Sequence, residues 1–265
     1  MIGKQPSRLI LKGENMSKWL AVIIGAILLI SVLTGAQADK DPIDKAVFVH
    51  YPKGALERPL SPPGQVGGVL CNDYKYNGIH WANPSIKYGI NPSGFTDTTP
   101  VQAAFATWDG ASGPLGFSYQ GPTSRSGGIF DGYNVVSWEN ISAQYPNAIA
   151  VTTVWYYRFG KQIVEVDTQM NSTLAWSYTV PNVSPDLSGS AIPVASRYAD
   201  PTNSGVAYDV QNIMTHEAGH WIMLGDLYKS VGSELTMYGY GATGELKKDT
   251  LAYGDELGVE RVYGP

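Results

Sequence analysis

The chain has 265 residues, a formal net charge of -5 and only 15% charged residues, with tyrosine (17), glycine (30) and tryptophan (7) plentiful. That balance leaves no basic footprint for nucleic-acid phosphates and suits a β-containing extracellular domain more than a cytosolic or nucleic-acid-binding one. Cys71 is the single cysteine, so no intrachain disulfide can form, and the fold rests on its core and any metal it holds.

Residues 1–38 carry a targeting pattern. Lys12 and Lys18 precede an apolar run over 19–33, and Ala36-Gln37-Ala38 supplies small residues at cleavage-type positions. These parts predict an N-terminal extension and signal peptide, with Met16 as an alternative start. The apolar run is shorter than the roughly 20 residues of a spanning helix, which favours cleavage and secretion over a membrane anchored by the uncleaved leader. About 225 residues then remain, enough for one sizeable core. Residues 39–76 are rich in proline and glycine without sustained periodicity and read as an arm, linker or short pro-segment. His50 and His80 show no partner spacing and read as structural or exposed.

Residues 77–265 have the pattern of one packed domain. Residues 85–91 alternate like a strand. Thr99-Pro100-Val101-Gln102 predicts a capping box with proline at the first helical position, and Val101, Ala104, Phe105 and Trp108 then share one face. Strands are predicted at 117–120, 134–138, 148–157 and 162–170, the last two joined by Arg158-Phe159-Gly160-Lys161 as a hairpin turn or a longer connection. A polar stretch over 172–205 reads as loop. Asp209 is the expected N-cap of a second helix, and Asp255 and Glu256 suit the first turn of a third that stops at Gly264-Pro265. The class is α+β: strand, helix, four strands, helix, helix.

The second helix contains His216-Glu217-Ala218-Gly219-His220, using two of the chain's four histidines. Histidines four apart on a helix project from one face, so both imidazoles can reach one ion, and the intervening glutamate can hold and deprotonate a metal-bound water. A catalytic zinc takes three protein ligands and leaves one position open. Laying the longer H-E-x-x-H-x-x-G-x-x-H signature on the chain puts Met223 in place of the turning glycine and Asp226 in place of the third histidine, with Gly225 just before it. A second closure is open: Glu245 and Asp249 have the E-x-x-x-D spacing by which gluzincin peptidases supply a distal glutamate.

On these residues the chain resembles a metzincin zinc peptidase, closest in arrangement to the matrixins, with the aspartate third ligand of the snapalysin-like branch. Leu235-Thr236-Met237-Tyr238 resembles the family's Met-turn, residues 160–176 the strand and asparagine-containing segment before the active-site helix, and residues 251–264 the C-terminal helix. The resemblance implies a twisted mixed sheet of about five strands with three helices, an active-site helix and a Met-turn with Met237 beneath the metal. It implies catalytic Zn2+ on His216, His220 and Asp226, with Glu217 as general base. By position it implies Tyr240 in the pocket for the residue after the scissile bond, and a strand within 148–157 that pairs with an extended polypeptide substrate. Cys71 stands where matrixins keep a pro-segment cysteine, a latency ligand by analogy, although LCNDYKY departs from that motif. Ca2+ is a structural ion that matrixins often hold, for which Asp97, Asp131 and Asp167 could serve. The expected protein is a secreted monomeric endopeptidase without nucleic-acid partners. The contrasting class is a catalytically silent extracellular binding protein on a peptidase fold.

Overall fold

β-Branched and aromatic residues that alternate in burial build a strand even inside a proline-rich context. Ile43–Pro52 (β1) is such a strand: Ala46, Phe48 and His50 point inward and are buried, while the residues between them are not. The structure, a computed structural model, describes residues 41–54, 73–109, 111, 113–178 and 207–265. The predicted leader and Cys71 lie outside them.

The remaining elements are β2 (Ser85–Ile90), α1 (Thr99–Asp109), β3 (Gly116–Pro122), β4 (Val135–Glu139), β5 (Ala150–Tyr157), β6 (Ile163–Asn171), β7 (Trp176–Ser177), β8 (Tyr208–Asp209), α2 (Val210–Trp221), β9 (Tyr240–Gly241) and α3 (Tyr253–Tyr263). Seven strands form one mixed sheet in the order β3-β2-β4-β6-β5-β1-β9, and β7 pairs with β8 apart from it. β5 runs antiparallel to both β6 and β1, whereas the other pairings are parallel. The fold is therefore α+β, a mixed sheet with three α-helices among the described residues.

Two strands separate this sheet from the five expected. β1 lies within the stretch read as an arm, so the compact unit begins at Ile43 and not near residue 77. β9 is two residues long, too short for any period to show. The 158–161 segment is a hairpin connection between β5 and β6, with Lys161 at φ 55. α1 starts at Thr99, and Gln102 N bonds to Thr98 O at 3.1 Å, so the cap is Thr98, one residue earlier than the capping box placed it.

α1 and α2 share a core of Tyr88, Phe105, Trp108, Ile213 and Trp221 against the sheet. The tryptophan N–H groups buried there have acceptors: Trp108 donates to Thr215 O at 2.7 Å and Trp221 to Thr168 Oγ1 at 2.8 Å. These bonds fix the rotation of α2 and hence which side chains it turns toward β1, β5 and the 224–240 loop. No helix among the described residues is long and apolar enough to cross a membrane.

Candidate metal centre

α2 is buried along its whole length, and such a helix is normally apolar on every side. It carries Asn212, Thr215, His216, Glu217 and His220 instead, all buried, and each must find a partner. Asp209 opens the helix as expected, its carboxylate accepting from Asn212 N at 2.9 Å. Asn212 Oδ1 accepts from Lys248 N at 2.8 Å, and the Thr215 hydroxyl donates to Gln211 O at 2.8 Å.

The histidines are oriented by carbonyls. His216 Nδ1 donates to Thr236 O and His220 Nδ1 to Leu224 O, each at 2.7 Å. A carbonyl can only accept, so Nδ1 carries the proton and in the neutral ring the Nε2 lone pair is free to ligate. Both Nε2 atoms lie near Asp226 Oδ1, at 3.1 Å from His216 and 3.5 Å from His220. All three atoms are buried, and none has a partner in hydrogen-bonding geometry. Ligands about 2.0–2.1 Å from a tetrahedral zinc lie about 3.3 Å from one another, so these separations fit that ion. Burial pushes the His216 imidazole down to about 3, keeping it neutral as ligation requires. Burial opposes charge on His220 and Asp226 as well, but their mutual attraction outweighs it, raising the first and holding the second well below the carboxylate range.

Asp226 arrives because the helix ends abruptly. Leu224 N bonds to Gly219 O at 3.0 Å and Met223 N to His220 O at 2.9 Å, the Schellman pattern, with Met223 in the left-handed region at φ 61. Glycine is usual at that position, and a side chain there costs about 1–2 kcal/mol. The Met223 side chain is fully buried, and burying a methionine contributes about 1.5–3 kcal/mol. Packing thus offsets the strain, and the departure from glycine does not stop the turn. Glu245, the competing ligand, is not among the donors gathered with His216 and His220; its Oε1 lies 4.0 Å from Lys248 Nζ.

Met237 is buried below α2 at Gly219, where an added Cβ would lie 2.2 Å from Met237 Sδ and 2.9 Å from Trp108. Glycine is what lets the sulfur approach the helix backbone. Asp255, in the first turn of α3, accepts from Thr236 N at 2.9 Å and Met237 N at 3.1 Å. One carboxylate therefore holds the turn whose Thr236 carbonyl aims His216.

Glu217 is fully buried, and burial raises its carboxyl to about 7. Its Oε2 accepts from Thr152 Oγ1 at 2.6 Å, at the end of a directed chain from Trp221 Nε1 through the Thr168 and Thr152 hydroxyls. Its Oε1 faces His50 Nδ1 at 3.1 Å. His50 is fully buried and contacts His216, their ring centroids 4.0 Å apart; of the two expectations for it, structural or exposed, burial overturns the second, and the partners its sequence spacing did not show are Glu217 and Lys248. Lys248, also fully buried, donates to Tyr238 O at 2.7 Å, Tyr240 O at 3.0 Å and His50 Nε2 at 3.2 Å. Tyr240 meets the site through this carbonyl and through its pairing with Tyr51 on β1.

Only two clusters of metal-capable donors occur among the described residues: His216, His220 and Asp226, and His50, His216 and Glu217. The candidate calcium carboxylates are not gathered. Asp97 accepts from Thr99 N, Asp131 pairs with Arg125, and Asp167 accepts from Ile129 N and Val135 N.

No family model and no curated protein matches this chain.

Proposed function

We propose that the chain is a secreted, zinc-dependent endopeptidase of metzincin-like, matrixin-related arrangement. His216, His220 and Asp226 hold the metal and Glu217 is the general base. The observation that carries this reading is the convergence of three buried atoms lacking hydrogen-bond partners at ligand-like spacing, beside a buried carboxylate.

A bound zinc ion would polarise the scissile carbonyl and bring the pKa of its water toward about 7. Glu217, with its carboxyl near 7, sits where it can both take a proton and return it at neutral pH. Thr152 fixes Oε2 and the orientation of the carboxylate, while Oε1, which His50 Nδ1 meets with β1 seated, would receive the proton from the attacking water and pass it to the leaving amine once His50 withdraws. β5 is paired on both sides, with β6 and β1, so the strand expected to pair with substrate has no open edge, and an extended polypeptide can add to it only where β1 withdraws.

Because β1 covers the centre, cleavage of a denatured protein is measured on the unmodified chain and on Phe48→Ala/His50→Ala, which loosens β1. The expected result is one equivalent of zinc bound and proteolysis that disappears on chelation and returns with zinc. Stoichiometric zinc without zinc-dependent cleavage in either chain contradicts the proposal.

A further inference from the structure

β1 lies between two sheet edges that a free peptide could otherwise use. It is antiparallel to β5, from Ile43 opposite Tyr157 to His50 opposite Ala150, and parallel to β9 through Tyr51 and Pro52. Ile149 N bonds to His50 O and Lys53 N to Gly241 O, each at 2.8 Å, so the backbone is held on both sides. Alternate side chains enter the centre. The Phe48 ring stacks on His220 with centroids 4.0 Å apart and planes 8° apart, and His50 reaches Glu217. With β1 in place, His216 and Glu217 have no exposure and His220 has 1%.

The seat of His50 is selective. Ile213, Ile149 and His50 crowd Gly241, where a Cβ would stand 3.1 Å from His50 Nε2, so the seat is tight on that side. Its depth ends on the Lys248 ammonium, which has three hydrogens and three acceptors: two main-chain carbonyls and His50 Nε2. Withdrawing the imidazole leaves one N–H of a buried cation with no acceptor in hydrogen-bond reach, the Glu245 Oε1 standing 4.0 Å away, a loss worth more than an ordinary hydrogen bond because the donor is charged.

We propose that β1 is an internal stand-in for the peptide ligand of this groove. It keeps the centre closed, and the polypeptide that replaces it runs in the same direction and seats a hydrogen-bond-accepting side chain (His, Gln or Glu) on Lys248. Calling that polypeptide a substrate rests on the peptidase reading; the groove and its selectivity do not.

The test uses a fluorescent peptide of residues 41–54 and the same peptide carrying His50→Leu, titrated into the full-length Phe48→Ala/His50→Ala chain. The native peptide binds saturably, refilling the space left on His220 and Lys248, and the leucine peptide binds at least about tenfold more weakly. Adding Lys248→Met to the chain removes the difference. Absence of saturable binding, or equal binding of the two peptides, overturns the inference. Should the double variant not fold, His50→Asp is titrated instead: it keeps Phe48 on His220 and weakens the seat of β1 by setting a second carboxylate against that of Glu217. Zinc content and proteolysis are read in parallel. Selective peptide binding without zinc-dependent cleavage sinks the peptidase alone, and cleavage without selectivity sinks this inference alone.

Discussion

Glu217→Ala is expected to retain its zinc and to lose about 10²–10⁴-fold in kcat, the usual contribution of a positioned general base. Glu217 lies outside the His216, His220 and Asp226 cluster proposed to hold zinc, so metal content should stay at one equivalent. Stability enters as a confounding effect. Removing the carboxylate leaves the Thr152 hydroxyl and His50 Nδ1–H without their acceptor, at about 1–3 kcal/mol per buried group. Glu217→Gln is the closer control: it keeps the volume and an acceptor oxygen for one of the two donors and cannot take the proton, so it should melt above the alanine variant and be as inactive. Zinc-dependent proteolysis surviving in Glu217→Gln would remove Glu217 from the chemistry.

Asp226→Ala should lower zinc affinity by more than the about 10–100-fold seen when a group merely supporting a ligand is lost, because a ligand itself goes. Glu245→Ala should leave affinity unchanged, since the 245–249 turn directs Lys248 toward β1 while Glu245 stays apart from the imidazoles. Competition with a chromogenic chelator measures both variants on one scale. The reverse ranking would replace the metzincin-like closure with the gluzincin one.

The parts of the centre that could be read from the sequence are those encoded by local spacing. His216 and His220 share a helical face because 3.6 residues make a turn, and Asp209 is legible as a cap because its side chain bonds three residues on. Asp226 and Met237 could be placed only by laying a longer signature or a family resemblance over the chain. Met223, which stands where the longer signature has its turning glycine, does take a left-handed φ, and a buried side chain accommodates it.

What sequence reading missed is tertiary. Thr152 and Lys248 reach Glu217 and His50 across 65 and 198 residues, and no local pattern announces such pairs. Asp255 was placed only as a helix-start residue; its second role, holding the Met237 turn from 18 residues away, appears only once α3 docks. β1 is a different case. Ala46-Val47-Phe48-Val49-His50-Tyr51 has the composition and the alternation of a half-buried strand, and the surrounding prolines and glycines obscured it. Reading that run as a strand would have put His50 on its inward face beside Ala46 and Phe48.

X-ray absorption at the zinc edge of the stoichiometrically loaded full-length chain reads the ligand set itself. The expected spectrum is that of a four-coordinate site with two imidazoles and a carboxylate oxygen at about 2.0–2.2 Å, and that signature is lost in Asp226→Ala. An all-oxygen shell, or imidazole scattering that Asp226→Ala leaves untouched, would contradict that ligand set.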